Sequence, residues 1–253
     1  MDFYRKAVLI TGASRGIGAQ LAVKYFELGA NVVVNYLNSA YEAQRIFANF
    51  KDVKDRFLLI KADVSSEKAI KVMVAKIIDK FGRIDILINN AGSVFEPSNW
   101  KEINKKVFMN TLSVNLFGVF NCMKNIVPIM LKNKYGKVVN VSSVAGITGA
   151  LHAPAYSAAK AGVIALTKGF ALETAPYINV NAIAPSWVNT SWHKNKDKTF
   201  FNEIEKLLPL KKIAEVDDIV SLILFLTSEE SRYITGQTII IDGGLTVSRD
   251  PLL

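Results

Sequence analysis

One cysteine and two histidines are all that 253 residues offer for thiol or imidazole chemistry. Cys122 alone excludes an internal disulfide and suggests a reducing compartment, so a cytoplasmic protein is expected, with Cys122 as a buried packing residue. His152 and His193 cannot build a metal site with that single thiol, and hydrolase and zinc readings both fail on inventory. No apolar run approaches the ~20 residues that span a bilayer, and "IVSLILFLT" reaches only about half of that. No signal peptide is expected, because "MDFYRKAVLI" runs straight into an apolar strand. Linkers, repeats and low-complexity tracts are missing too, so a single domain over 1–253 is expected.

What remains is the balance of a soluble protein with a substantial core: half the residues are hydrophobic and 21% are charged. The net charge is +9. The lysines are spread along the chain and no nucleic-acid motif accompanies them, so neither a nucleic-acid nor a membrane partner is expected. One cluster, Lys194, Lys196 and Lys198 with Lys211 and Lys212, is either a solvated surface or an attractor for an anionic substrate or carrier.

Short apolar runs alternate with helix-length patterns. Strands are predicted at 7–11, 31–35, 57–61, 84–89, 137–142, 179–184 and 238–242, and helices at 16–28, 40–49, 67–81, 105–132, 156–174 and 217–227. Nearly continuous Val, Ile and Leu implies strands covered on both faces, hence a parallel sheet. The alternation predicts an α/β fold, a doubly wound seven-stranded Rossmann-type sheet with helices on both faces. An irregular stretch at about 186–212 reads as a lid or binding loop. In such sheets ligands bind beyond the carboxyl ends of the strands, so chemistry is expected just after each strand.

After the first strand comes "TGASRGIG". Gly12, Gly16 and Gly18 let backbone amides approach a diphosphate, with Ser14, Arg15 and Ile17 between them and a helix start beyond. The spacing departs from G-x-G-x-x-G, so position carries the reading rather than pattern. The second strand ends in Tyr36, Leu37 and Asn38 without the acid that would exclude a 2′-phosphate. Arg15 could pair with that phosphate, which favours NADP(H) over NAD(H). Asp63 and Val64 follow the third strand, with the Asp63 carboxylate placed to accept from an adenine amino group. In "NNAG", Asn89 is expected to tie strands together, while Asn90, Ala91 and Gly92 line a ribose.

Tyr156 and Lys160 are four apart and share a helix face, with small residues between them. A phenol near pKa ~10 does little at neutral pH, but a cation at about 4–6 Å favours the phenolate, bringing Tyr156 toward ~7 to 8. Ser143, at the end of the fifth strand, could hold a carbonyl oxygen, and pleat alternation points Ser142 the other way. The bland alternative is an ordinary helix pair.

"TGASRGIG", "NNAG", "SVNLFGVF", "NVSS" and "YSAAK" together resemble the short-chain dehydrogenase/reductase family over about residues 5 to 246. The resemblance implies a catalytic tetrad of Asn115, Ser143, Tyr156 and Lys160. Tyrosine exchanges the proton, serine holds the carbonyl oxygen, lysine lowers the phenol pKa and binds the nicotinamide ribose, and asparagine holds a water. It also implies cofactor contacts from Pro185, Val188 and Thr190. The usual Pro-Gly there is Pro185-Ser186, and Trp187 and Trp192 are candidate substrate contacts. Among family branches the chain looks like bacterial 3-oxoacyl-acyl-carrier-protein reductases, implying a carrier-linked carbonyl substrate and a homotetramer built on 105–132 and 156–174. Lys134 matches one carrier-docking position, whereas Leu172 stands where an arginine is expected. A free small carbonyl compound, or a dinucleotide-binding regulator without turnover, are the other readings.

Overall fold

The protein is described by a computed structural model over residues 1–48, 50, 55–97, 99–190 and 197–248. Its strands are β1 (Ala7–Ile10), β2 (Asn31–Tyr36), β3 (Phe57–Lys61), β4 (Ile86–Asn89), β5 (Gly136–Val141), β6 (Ile178–Pro185) and β7 (Thr238–Ile241). They form a seven-stranded sheet in the order β3-β2-β1-β4-β5-β6-β7. Every pairing is parallel, from Val8 opposite Val32 to Ile183 opposite Ile239.

The period of two sorts the apolar residues between two cores. Val8, Ile10, Val32, Val34, Ile86 and Ile88 face one side, while Leu9, Val33, Leu87 and Val138 face the other. Helices α1 (Gly16–Glu27), α2 (Ala40–Arg45) and α9 (Val216–Thr227) contribute to the first core, and α3 (Glu67–Phe81), α5 (Gly118–Lys132) and α7 (Pro154–Thr174) to the second. Cys122 is fully buried in the second, and burial pushes its thiol up to about 12. Strand order reverses between β1 and β4, which opens a crevice at their carboxyl ends.

Three local features depart from the predicted elements. The helix expected over 105–132 is α4 (Lys105–Leu112), a π turn at Ser113–Phe117, then α5. Asn115 donates to the Thr111 carbonyl inside this turn, so a side chain competes with the backbone ladder where it widens. Lys105–Lys132 is long and apolar enough to cross a bilayer, yet half of its most apolar window is buried in this fold. The stretch read as an irregular lid contains α8 (Lys198–Leu207), capped by Asp197, whose Oδ1 accepts from the Phe200 N–H at 2.8 Å. Its charged residues hid a helical stripe of Phe200, Phe201 and Ile204. A short α6 (Ala145–Thr148) also precedes α7.

Candidate active site

Gly12 has φ +60°, and a Cβ there would lie 2.7 Å from the Ala91 Cα. Glycine is required for both reasons, and it lets the turn after β1 close on the segment after β4. The Thr11 hydroxyl accepts from the Asn90 and Ala91 N–H groups, each at 3.0 Å. Asn90 donates from Nδ2 to the Thr11 and Gly12 carbonyls. Below the turn, Asn35 accepts from the Gly12 N–H and donates to the Ala62 carbonyl.

Above this scaffold lies a cleft of about 370 Å³. Of the predicted cofactor residues, Gly12, Ser14, Arg15, Gly16, Ile17, Asn38, Asp63, Val64, Asn90, Ala91, Gly92 and Thr190 line it. Sequence reasoning did not assign Asn35, Leu37, Ser39, Ala62, Ser93, Phe95 and Val114 to the cleft, although all but Phe95 adjoin predicted positions. Gly18 lies beneath the turn, where a Cβ would come within 2.7 Å of the Ala13 Cα. Tyr36 packs against the first core instead of the cleft, because it shares the face of Val32 and Val34. Val188 is likewise a core residue, bridged to Ala214. Asp63 keeps Oδ1 on the Ser65 N–H and hydroxyl. Asn89 does tie strands, donating to Asn140 at 2.8 Å. A glycine-opened turn at the amino end of α1, without an acid in that helix's first turn, fits a dinucleotide diphosphate.

Beside the cleft stand the other candidates. The Ser143 hydroxyl stands beside the Tyr156 phenol, near enough to hold its pKa down, and it donates to the Pro185 carbonyl at 3.5 Å. Ser142 points the opposite way and donates to the Lys160 carbonyl at 2.8 Å. Lys160 is buried; its Nζ donates to the Val141 carbonyl at 2.7 Å and sits 5.5 Å from the Tyr156 ring centre. Asn115 is fully buried and spends both amide hydrogens on the Ser93 and Thr111 carbonyls, while its Oδ1 accepts from the Ser93 N–H. Its side chain braces a segment of the cleft wall. A Cβ on Gly92 would sit 2.9 Å from Asn115 Oδ1 and 3.7 Å from Lys160 Nζ, so these groups converge on one point.

The electrostatics differ from the expected lowering of the phenol. Burial pushes Tyr156 up, and the neighbouring Ser143 hydroxyl opposes this only in part. Burial also pulls Lys160 down to about 8. Desolvation disfavours both charges, and the ammonium aims at the Val141 carbonyl rather than at the phenol oxygen. Burial therefore favours the protonated phenol at Tyr156.

Glu96 was invisible in the sequence: its carboxylate caps the first turn of α7 from a distant loop. The only available signal was negative, an alanine at the N-cap and a proline after it. Trp187 packs edge-on against Phe200 with ring centres 5.3 Å apart. Trp192, Lys194 and Lys196 lie outside the described residues, as does the side chain of Lys198. Lys211 donates to the Lys206 carbonyl. Among the described residues no group of His, Cys, Asp and Glu is placed to hold a metal.

A family model described as Enoyl-(Acyl carrier protein) reductase matches residues 12–246. The 3-oxoacyl-[acyl-carrier-protein] reductase FabG of Staphylococcus epidermidis is 36% identical over 241 residues, covering 95% of this chain and 98% of that protein. The (2S)-[(R)-hydroxy(phenyl)methyl]succinyl-CoA dehydrogenase subunit BbsD of Thauera aromatica is 36% identical over 248 residues, covering 96% and 98%. Levodione reductase superposes with a TM-score of 0.91 at 32% identity, covering 97% of this chain and 99% of that one. ElxO with NADP bound gives 0.89 at 31%, covering 96% and 100%. The chain belongs to the short-chain dehydrogenase/reductase family, NAD(P)-using oxidoreductases of carbonyl and alcohol groups.

Proposed function

We propose that this enzyme is an NADP(H)-dependent reductase that turns the ketone of a 3-oxoacyl thioester into a secondary alcohol. The observation that carries the reading is the gathering of Ser143, Tyr156 and buried Lys160 beside the cleft, with Lys160 Nζ 5.5 Å from the phenol ring centre. Gly12, Arg15, Asn90 and Thr190 would hold a reduced nicotinamide dinucleotide in the cleft, which would supply the hydride for the carbonyl carbon. Ser143 donates a hydrogen bond to the carbonyl oxygen, and Tyr156 delivers its proton as that oxygen gains charge. Lys160 provides positive charge in a dry site and a donor for the cofactor ribose. Asn115 keeps Ser93 and the cleft wall in place. Arg15 is exposed at the cleft mouth, and no acid follows β2, so the site favours a 2′-phosphate.

The relatives named as acyl-carrier-protein reductases support a carrier-linked substrate. A free carbonyl compound is the second reading, because Leu172 is 84% exposed where a basic docking partner is expected and Lys134 stands without it. Loss of NADPH absorbance with carrier-linked thioesters, free thioesters and simple ketones separates the two. Turnover confined to free ketones would dismiss the carrier. Binding of NADPH without any turnover would favour a regulator.

A homotetramer completes the proposal. Leu112, Leu116, Phe117, Phe120, Leu166 and Phe170 line an open apolar groove between the 105–132 helices and α7. Gly162, Ala165 and Gly169 flatten it enough for the same helices of a second copy to approach.

A further inference from the structure

The segment after β4 is fastened at three places. Thr11 holds Asn90 and Ala91, Asn115 holds Ser93, and Glu96 holds the first turn of α7. Glu96 Oε2 accepts from the Ala155 N–H and Oε1 from the Tyr156 N–H, both at 2.8 Å. A helix start leaves such N–H groups without partners, and a polar N-cap side chain normally takes them. The N-cap of α7 is Ala153, which has no such group, and Pro154 follows with no N–H of its own. The cap therefore comes from 60 residues away in sequence. A carboxylate suits the place twice over, since it accepts from two donors and meets the positive end of α7.

We infer that Glu96 is a positioning residue for Tyr156, gripping its main chain from the cleft wall and thereby fixing where the phenol stands beside Ser143. The inference rests on the proposed proton-donor role of Tyr156. Tyr156 is the third residue of α7, so a shift of the first turn carries the phenol with it. Lys160, one turn on, has separate anchors: its bond to Val141, and α6 packed so closely that a Cβ on Gly146 would lie 2.6 Å from the Lys160 carbonyl carbon. Ser93 and Phe95, just before Glu96, line the cleft, so the same short segment sets both the cleft wall and the helix start. Loss of the carboxylate should loosen Tyr156 and leave Lys160 in place.

The test compares Glu96→Ala, which has no acceptor, with Glu96→Gln, which keeps one, in the full chain. Amide exchange at 155 and 156 should accelerate at least tenfold in the alanine variant and less in the glutamine variant, with residue 160 unchanged. With a carbonyl that the wild type reduces, kcat should fall about tenfold for alanine and less for glutamine, while KM and the NADPH Kd stay within twofold. Near wild-type kcat in folded Glu96→Ala overturns the inference, as does a kcat loss matched by equal loss of NADPH affinity. Should Glu96→Ala fail to fold, Glu96→Gln with unchanged exchange and unchanged kcat overturns it equally. A wild type that turns over no carbonyl refutes the Tyr156 role instead; exchange at 155 and 156 then still decides whether Glu96 holds the helix start.

Discussion

Ser93 and Asn115 exchange two hydrogen bonds: the Ser93 N–H reaches Asn115 Oδ1 at 3.1 Å, and Asn115 Nδ2 reaches the Ser93 carbonyl at 2.6 Å. The pair mimics one rung of a sheet ladder, with a side-chain amide standing in for a peptide. It is how the π turn is joined to the cleft wall. Replacing Asn115 with Ala should leave both Ser93 groups and the Thr111 carbonyl unpaired. Urea unfolding should then show a loss of about 2 kcal/mol, together with reduced activity. Unchanged stability would mean that water replaces the amide without cost.

Tyr156→Phe deletes the proton and little else. Carbonyl reduction should fall at least ~100-fold, while NADPH titration by fluorescence stays close to wild type. Retention of near wild-type kcat would remove Tyr156 from the mechanism.

Arg15→Ala should weaken NADPH by at least ~10-fold and NADH by far less, the signature of a lost charge-assisted bond to a 2′-phosphate. Equal losses for both cofactors would place Arg15 elsewhere.

Lys160 gives a pH prediction with a definite sign. Its folded pKa, about 8, lies below the ordinary lysine value of 10.5, so between these two values the unfolded chain binds the extra proton. Stability should therefore rise with pH across that window. Below it the buried charge costs up to about 3 kcal/mol, reduced in a mutant by the lost Val141 bond. Lys160→Met should melt higher than the wild type at pH 7, with the gap closing above about pH 10. Carbonyl reduction by the wild type should decline as pH passes about 8 and the ammonium is lost. A melting gap independent of pH would count against a titrating Lys160.

The apolar groove beside α7 predicts the assembly. Phe117→Asp puts a charge on its rim, where the wild-type ring is 48% exposed. Light scattering should report a smaller species at unchanged far-UV circular dichroism, and an unaltered mass would assign the groove another occupant.

Much of this was legible beforehand for physical reasons that can be named. Helix α3 runs over 67–81 as predicted, since Ser66 caps its start and Gly82, at φ +70°, ends it. The five inner strands were readable because they bury both faces, and Ser143 was separable from Ser142 because a strand alternates. What escaped depends on contacts distant in sequence or on solvation. The π turn comes from Asn115 meeting Ser93 and Thr111, the α7 cap from Glu96, and the raised Tyr156 from burial that no spacing of residues records. Tyr36 was assigned from its place at the end of β2 and Val188 by resemblance, whereas the pleat and the Ala214 bridge pack both side chains against the core.

The paired serines at the end of β5 carry a consequence for how this enzyme can change. Ser142 and Ser143 are the same chemical group, and only the parity of position makes one a support for Lys160 and the other a partner of Tyr156. A slip of β5 by a single residue along β6 would interchange reagent and prop without altering one atom of the composition. On the role proposed for Ser143, an insertion or deletion within β5 would exchange the two hydroxyls and remove the one that faces the cleft side.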